Sequence, residues 1–438
     1  MSSLHLAPRT ADTTAGPARL LLLPTGVRDA VSFRGSFETA PDLGAGDDVV
    51  QGVLASVLDK GTQSRDRFEI AQELEGRGAR VSFYSDGLRV GFAGRALRDD
   101  LDDVLALVAE QLREPALDAD EVEKAVVRAV AGVRRSLEST GSQASGALAR
   151  RLYPPAHPNY AFEPEAELDQ LAAVTAETVR AYHAAHVGSD GLTVAVVGDV
   201  PDGAAEAVGA AFDGWPAHGA QARYAATAEP AAPGEVDVEM DDRRNLDVYL
   251  GHAVDLRRDS PDFLAAYAGV FALGGNFSGR LMQTVRDGQG LTYGIGAGLS
   301  GVTVHHDGHL RVQVTLSQEN LRRGIEATRA EVEAFVAEGV PADVLGPTQT
   351  TLAGLHVVGL ATTGGLAARL LVNAERGFDV GYLDRYPDLV RALTPDEVAE
   401  AVRRHVRPAD LHLAVAGSLP EGGAAVGDPP RSEAAPAV

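Results

Sequence analysis

The sequence predicts an α+β fold built from two homologous sandwich domains, each a mainly antiparallel sheet covered by helices. Three observations carry this expectation. The chain has 438 residues, beyond the size at which a single hydrophobic core stops growing, so two domains of roughly 200 residues are expected. Three segments recur in the same order about 220 residues apart, the mark of a duplicated unit. Within each copy, alternating apolar runs that read as strands are followed by segments with apolar spacing of three and four, the period of an amphipathic helix.

Met1 to Gly16 is polar and lacks the basic start, apolar stretch and cleavage site of a secretory signal, which predicts a disordered tail over 1–17 and a cytoplasmic protein. Leu20 to Leu23 reads as the first strand of a first domain spanning 18–219. Arg89 to Gln111 (RVGFAGRALRDDLDDVLALVAEQ) resembles Arg311 to Val332 (RVQVTLSQENLRRGIEATRAEV), a strand then a helix in both. Phe68 to Ser85 aligns with Arg280 to Gly296. Leu171 to Val200 parallels Val390 to Leu419: Thr175 and Thr394 sit at capping positions, an amphipathic helix follows, and a strand ends in glycine. The link between copies falls at 220–234, where QARYAATAEPAAPGE is poor in bulky apolar residues and carries Pro230 and Pro233, a hinge candidate. The second domain spans 235–419. The tail at 420–438 has too little apolar surface to order itself.

Acidic residues outnumber basic ones 62 to 39, a net charge of -23, which disfavours nucleic acid and anionic lipid as partners. No apolar run approaches the roughly 20 residues needed to span a bilayer. Cysteine is absent, so disulfides and thiolate zinc sites are excluded and any metal would need His, Asp or Glu.

Gly274 to Ser300, GGNFSGRLMQTVRDGQGLTYGIGAGLS, and Lys60-Gly61-Thr62 with the segments Ile70 to Leu74 and Gly76 to Phe83 together resemble the insulinase and pitrilysin family of zinc metallopeptidases, in its small bacterial and mitochondrial-processing-peptidase-like branch. The likeness runs from about Arg19 to Leu419. Active members carry an inverted motif, H-x-x-E-H, just before the Lys-Gly-Thr; a helix places the two His on one face to share a metal while the Glu activates its water. Laid on this chain, the His positions fall on Gly52 and Ser56 and the Glu position on Ala55. The third ligand, a Glu on a later helix, falls around Ala131, where no carboxylate lies between Lys124 and Leu137. All the ligand positions are lost, so no metal is expected in this chain.

Inactivated copies in this family partner a zinc-bearing subunit and contribute an Arg and a Tyr from the second domain. The matching positions are Arg286 and Tyr293. The resemblance therefore implies a zinc-free subunit of a heterodimer, with zinc in a homologous H-x-x-E-H partner, acting on a peptide or unfolded polypeptide. Attack on a peptide carbonyl builds charge on its oxygen, and one fixed donor aimed there is worth about 3 kcal/mol. Arg286 is expected to close a helix with apolar Phe277, Leu281, Met282 and Val285, and Gly288 and Gly290 to turn the chain into the strand holding Tyr293. Asn276, Phe277, Ser278, Gly279 and Arg280 would edge the substrate channel. The plainer alternatives are an exposed helix-end arginine and a half-buried strand tyrosine, in a purely structural subunit or a peptide-binding module without a peptidase partner.

Other candidates are weaker. His183 and His186 have metal-compatible spacing but no nearby carboxylate. His305, His306 and His309 beside Asp307 read as a solvated hairpin tip. Ser56 lacks a His and acid arrangement, and the acids at Glu121 to Glu123 and Asp99 to Asp103 read as solvated helix faces.

Overall fold

The computed structural model describes residues 5–229 and 232–420. The first half contains strands β1 (Ala11–Ala15), β2 (Ala18–Pro24), β3 (Ala30–Glu38), β4 (Arg80–Ser85), β5 (Arg89–Leu97) and β6 (Thr193–Gly198). Its helices are α1 (Asp47–Ala55), α2 (Arg67–Gly76), α3 (Leu101–Arg113), α4 (Ala119–Leu137), α5 (Thr140–Leu152), α6 (Pro164–Ala173), α7 (Ala176–His186) and α8 (Ala204–Ala211). The second half contains β7 (Glu235–Glu239), β8 (Asn245–Val254), β9 (Thr292–Ser300), β10 (Gly308–Ser317) and β11 (His412–Gly417). Its helices are α9 (Phe263–Gly274), α10 (Leu321–Glu338), α11 (Ala342–Gly359), α12 (Thr363–Glu375), α13 (Gly381–Ala392) and α14 (Pro395–His405). No single helix among the described residues is long and apolar enough to cross a membrane.

The two sheets have the same topology. The first runs β1-β2-β6-β3-β5-β4 and the second β7-β11-β8-β10-β9, so removing β1 leaves two five-stranded sheets that match strand for strand. In both, the first common strand lies parallel to the last (β2 with β6, β7 with β11) and the remaining pairs are antiparallel. The duplication is thus an architectural fact. Thr175 and Thr394 each cap their helix by accepting from the N3 backbone, of Thr178 and Glu397 respectively, as their shared pattern predicts.

The N-terminal residues depart from the expected tail over 1–17. Ala11–Ala15 forms an edge strand paired antiparallel with 18–22, because Gly16, in the left-handed region at φ 56°, lets the chain reverse tightly. The strand expected first is therefore second. Of the expected tail at 420–438, residues 421–438 lie outside the described residues.

The helices cover both faces of each sheet. β6 (TVAVVG) and β11 (HLAVAG) are buried at every position, which requires helices on both faces. One face of each sheet packs on the helices of its own half. The other is covered by a helix lent by the opposite half: α5 lies on β8 and β11, and α12 lies on β3 and β6. Leu370, Leu371, Ala367 and Ala374 of α12 form a core with Leu21, Leu23, Ala195 and Val197 of the first sheet. Leu148, Ala147, Ala149 and Leu152 of α5 pack with Ala414, Val236 and Val238 of the second. The exchange is pinned by related hydrogen bonds at the start of each lent helix, Thr140 Oγ1 to Asp247 Oδ2 at 2.6 Å and Thr363 Oγ1 with Ser32 Oγ at 2.8 Å. Neither half completes its core alone.

Candidate functional site

The lost zinc positions lie on α1 as the motif spacing requires. Gly52 and Ser56 are exposed and one turn apart, while Ala55 is 5% exposed and turned inward. Ser56 Oγ donates back to Val53 O at 2.8 Å, and Ala131 is half-buried on α4, which packs against α1. None of the four offers a metal donor beyond one backbone-bound hydroxyl. The nearest acid on this face, Asp48, lines a cavity of about 200 Å³ with Asp86 and His157. Burial pushes its carboxyl above the usual range, and its Oδ1 has no partner. No group of three or more His, Asp or Glu able to hold a metal occurs among the described residues. The residues present do not fit zinc.

Arg286 and Tyr293 lie in the second half, on the turn into β9 that corresponds to the α2–β4 connection of the first. The expected helix from Phe277 is shorter: Met282–Gly288 forms one turn of π-helix, and Phe277 lies outside it, 75% exposed. Leu281, Met282 and Val285 are buried and hold the turn against the second core. Two glycines make the geometry possible. A Cβ on Gly274 would lie 2.5 Å from the Ala297 amide nitrogen, so only glycine lets the end of α9 touch β9. Gly290 takes φ 65°, the left-handed region that glycine enters without strain.

A β-bulge then aims Tyr293. β10 pairs Thr315 with Gly294 and Leu316 with Thr292, leaving Tyr293 as the unpaired extra residue. Thr292 stabilises the bulge: its Oγ1 donates to Thr315 O at 2.5 Å and accepts from Gly294 N at 3.0 Å. The result is a tyrosine 96% exposed, in place of the half-buried side chain of the plainer reading. Arg286 Nε donates to the Tyr293 carbonyl at 3.1 Å, its Nη1 meets Asp287 at 2.8 Å, and its guanidinium lies 5.6 Å from the Phe277 ring centroid. Half-buried Arg286 and exposed Phe277 and Tyr293 thus form one surface patch at β9, an edge strand of its sheet.

The expected channel-edge residues divide. Asn276 Oδ1 accepts from Ser278 N at 3.0 Å and shapes the turn, with Phe277 and Ser278 exposed at its tip. Gly279 is buried against Gly274. Arg280 pairs with Glu331 at 2.9 Å and Glu338 at 2.6 Å; the Glu338 hydrogen bond raises its pKa. It fastens the turn to α10, a role no sequence spacing could reveal.

The histidine run corrects another expectation. His306, Asp307 and His309 are buried, at 5, 7 and 8% exposed, not at a solvated tip. His157 Nδ1 accepts from Asn159 N, so its Nε2 donates to Asp307 Oδ1 at 3.0 Å. Asp307 also accepts from Ala228 N at 2.9 Å, and Tyr153 OH bonds His309 Nδ1 at 3.0 Å. The network ties the segment after α5, the connection between halves and the start of β10 together. The hinge candidate at 220–234 is thereby fastened, with Asp307 N also donating to Ala226 O at 3.1 Å; Pro230 of that segment lies outside the described residues. His183 Nε2 bonds the Leu112 carbonyl at 2.7 Å and His186 Nδ1 the Thr39 carbonyl at 2.8 Å. Glu121, at 9% exposed and bound to Arg67 and Lys124, is not a solvated acid.

Comparison with known proteins agrees with this anatomy. Residues 54–150 match the family described as insulinase (peptidase family M16), and residues 173–352 match the peptidase M16 inactive domain. An uncharacterised zinc protease of Streptomyces coelicolor is 24% identical over 375 residues, 84% of this chain and 80% of the relative. The peptidase M16 inactive domain from Pseudomonas fluorescens superposes with a TM-score of 0.83 at 23% identity, covering 93% of this chain and 98% of the other. A periplasmic protease from Escherichia coli superposes with a TM-score of 0.75 at 14% identity; this chain is covered over 96% of its length and spans 48% of that protein.

Proposed function

Because the chain belongs to the insulinase (peptidase M16) family and lacks its zinc ligands, we propose that it is the zinc-free subunit of a heteromeric peptidase. Its partner is a homologous subunit bearing H-x-x-E-H, which holds the zinc. The observation that carries this reading is the Arg286–Phe277–Tyr293 patch, where a phenol and a guanidinium stand at the surface on a turn built by Gly274, Gly290 and the bulge. Donors of this kind act on a peptide carbonyl as its oxygen gains charge. Arg286 exchanges Asp287 for that oxygen, while its Nε bond to the Tyr293 carbonyl keeps the side chain aimed. The Tyr293 hydroxyl, held out by the bulge, supplies the second donor.

The substrate is an unfolded peptide, docked in part by adding a strand along an exposed sheet edge. β9 offers such an edge beside the patch, with Gly294, Gly296 and Gly298 leaving its surface low. The setting is cytoplasmic, without nucleic acid or membrane as partner. The two bonds that already engage Arg286 favour one rival, a purely structural or peptide-binding subunit in which the arginine only stiffens its turn. Affinity capture from the cells that make the protein separates them. A co-purifying chain with H-x-x-E-H, and chelator-sensitive peptide cleavage by the eluate, is the expected result; a lone chain that binds peptides without cleaving them would refute it.

A further inference from the structure

A second pocket, unrelated to the Arg286 turn, lies where the lent helix α12 leaves α11 and meets α13 and α9. It encloses about 350 Å³, at the lower end of the range for small-ligand sites, about 300–1,000 Å³. Three guanidiniums line it, from Arg258, Arg369 and Arg376, together with the rings of Tyr267, Tyr382 and Tyr386. None of these arginines forms an ion pair with a carboxylate among the described residues, whereas the paired arginines elsewhere on this acidic chain are many. Arg258 is held over the Phe263 ring at 4.5 Å and Tyr267 at 5.9 Å, contacts that fix the cation and leave its N–H donors unused.

The neighbouring carboxylates are committed elsewhere. Glu375 accepts from Ser36 Oγ at 2.5 Å and lies 3.6 Å from Arg89. Asp384 accepts the backbone N–H groups of Leu6 and Ala7, both at 2.8 Å. His356 is buried and stacked on Tyr386, bonded to Leu383 O at 2.8 Å. Burial, then repulsion from Arg258 and Arg369, pushes the Arg376 guanidinium down to about 10. The hydroxyls of the three tyrosines have no hydrogen-bond partner among the described residues either. The cavity thus carries three cationic donors and three hydroxyls that can donate, and no carboxylate among the described residues lines it.

We propose that this pocket binds a small multivalent oxyanion, a phosphorylated compound or a polycarboxylate, whose oxygens take the three guanidiniums and whose body rests between the tyrosine rings. Because α12 packs on the first sheet while Arg258, α9 and α13 stay with the second half, the bound anion braces the lent helix against the half it comes from.

The test is isothermal titration calorimetry of the full chain at low salt with inorganic pyrophosphate and, separately, citrate. At least one anion is expected to bind one-to-one, at least tenfold more weakly to Arg376→Gln and to Arg369→Gln, and unchanged to Arg322→Gln, whose arginine is exposed on α10. The Arg369 side chain is exposed, so that variant keeps the fold if Arg376→Gln does not. Binding of pyrophosphate alone assigns the phosphorylated class, and of citrate alone the polycarboxylate class. No binding of either at millimolar concentration, or equal loss in Arg322→Gln, overturns the proposal.

Discussion

Replacing Asp307 by alanine removes the acceptor at the centre of the contact between halves. His157, whose side chain is 0% exposed, then keeps a buried Nε2–H with no acceptor, which costs about 1–3 kcal/mol. Ala228 N–H is half-buried and loses its 2.9 Å bond; water reaches it in part, adding about 1 kcal/mol at most. The expected loss is about 1–4 kcal/mol. Asp307→Asn retains one oxygen for one of the two donors and should cost about half as much. Urea unfolding can be followed by far-UV circular dichroism and by fluorescence of Trp215, the one tryptophan, which packs on Phe37 and Phe212 in the first half. Since both halves share the network and the lent helices, both signals should shift together. A shift below the equivalent of about 0.5 kcal/mol, or movement of one signal alone, would refute the reasoning.

Leu370→Ala should cost about 2–5 kcal/mol and lower the Trp215 transition, although residue 370 lies far along the chain from the sheet it covers; urea titration measures this. Arg286→Ala and Tyr293→Phe alter exposed groups and should leave stability within about 0.5 kcal/mol by the same titration. Acid should weaken the fold. His252 and His309 are pushed down to about 4 by burial, so they stay neutral when folded while the unfolded chain takes up protons below about 6.5. Their stabilisation is complete above that value and is lost as pH falls towards 4, about 2 kcal/mol per ring between pH 7 and pH 5. His309→Gln should flatten the curve of stability against pH, and a curve unchanged by it would contradict the assignment.

Much of this was legible in the sequence because the duplication writes the same pattern twice. Strand followed by helix at Arg89 and again at Arg311, and threonine caps at 175 and 394, place equivalent elements without reference to contacts. The exchange of α5 and α12 was not legible: an amphipathic helix advertises an apolar face but not which sheet covers it. The full burial of Thr193 to Gly198 was the available signal, since a strand apolar at successive positions needs cover on both faces. The site was half legible. Motif spacing located Arg286, Tyr293 and the emptied α1 face, but the bulge that exposes Tyr293 depends on pairing with β10, and the Arg280 ion pairs depend on α10. The histidines at 305–309 misled because charge and polarity suggest a surface, whereas partners distant in sequence, Tyr153 and His157, bury most of them.

The measurement closest to the central claim is peptide cleavage by the reassembled complex carrying Arg286→Ala, with assembly checked by size-exclusion chromatography. The account predicts intact assembly and a rate lower by about 100-fold or more, the cost of removing one oxyanion donor. An unchanged rate in an intact complex would show that this chain lends shape alone.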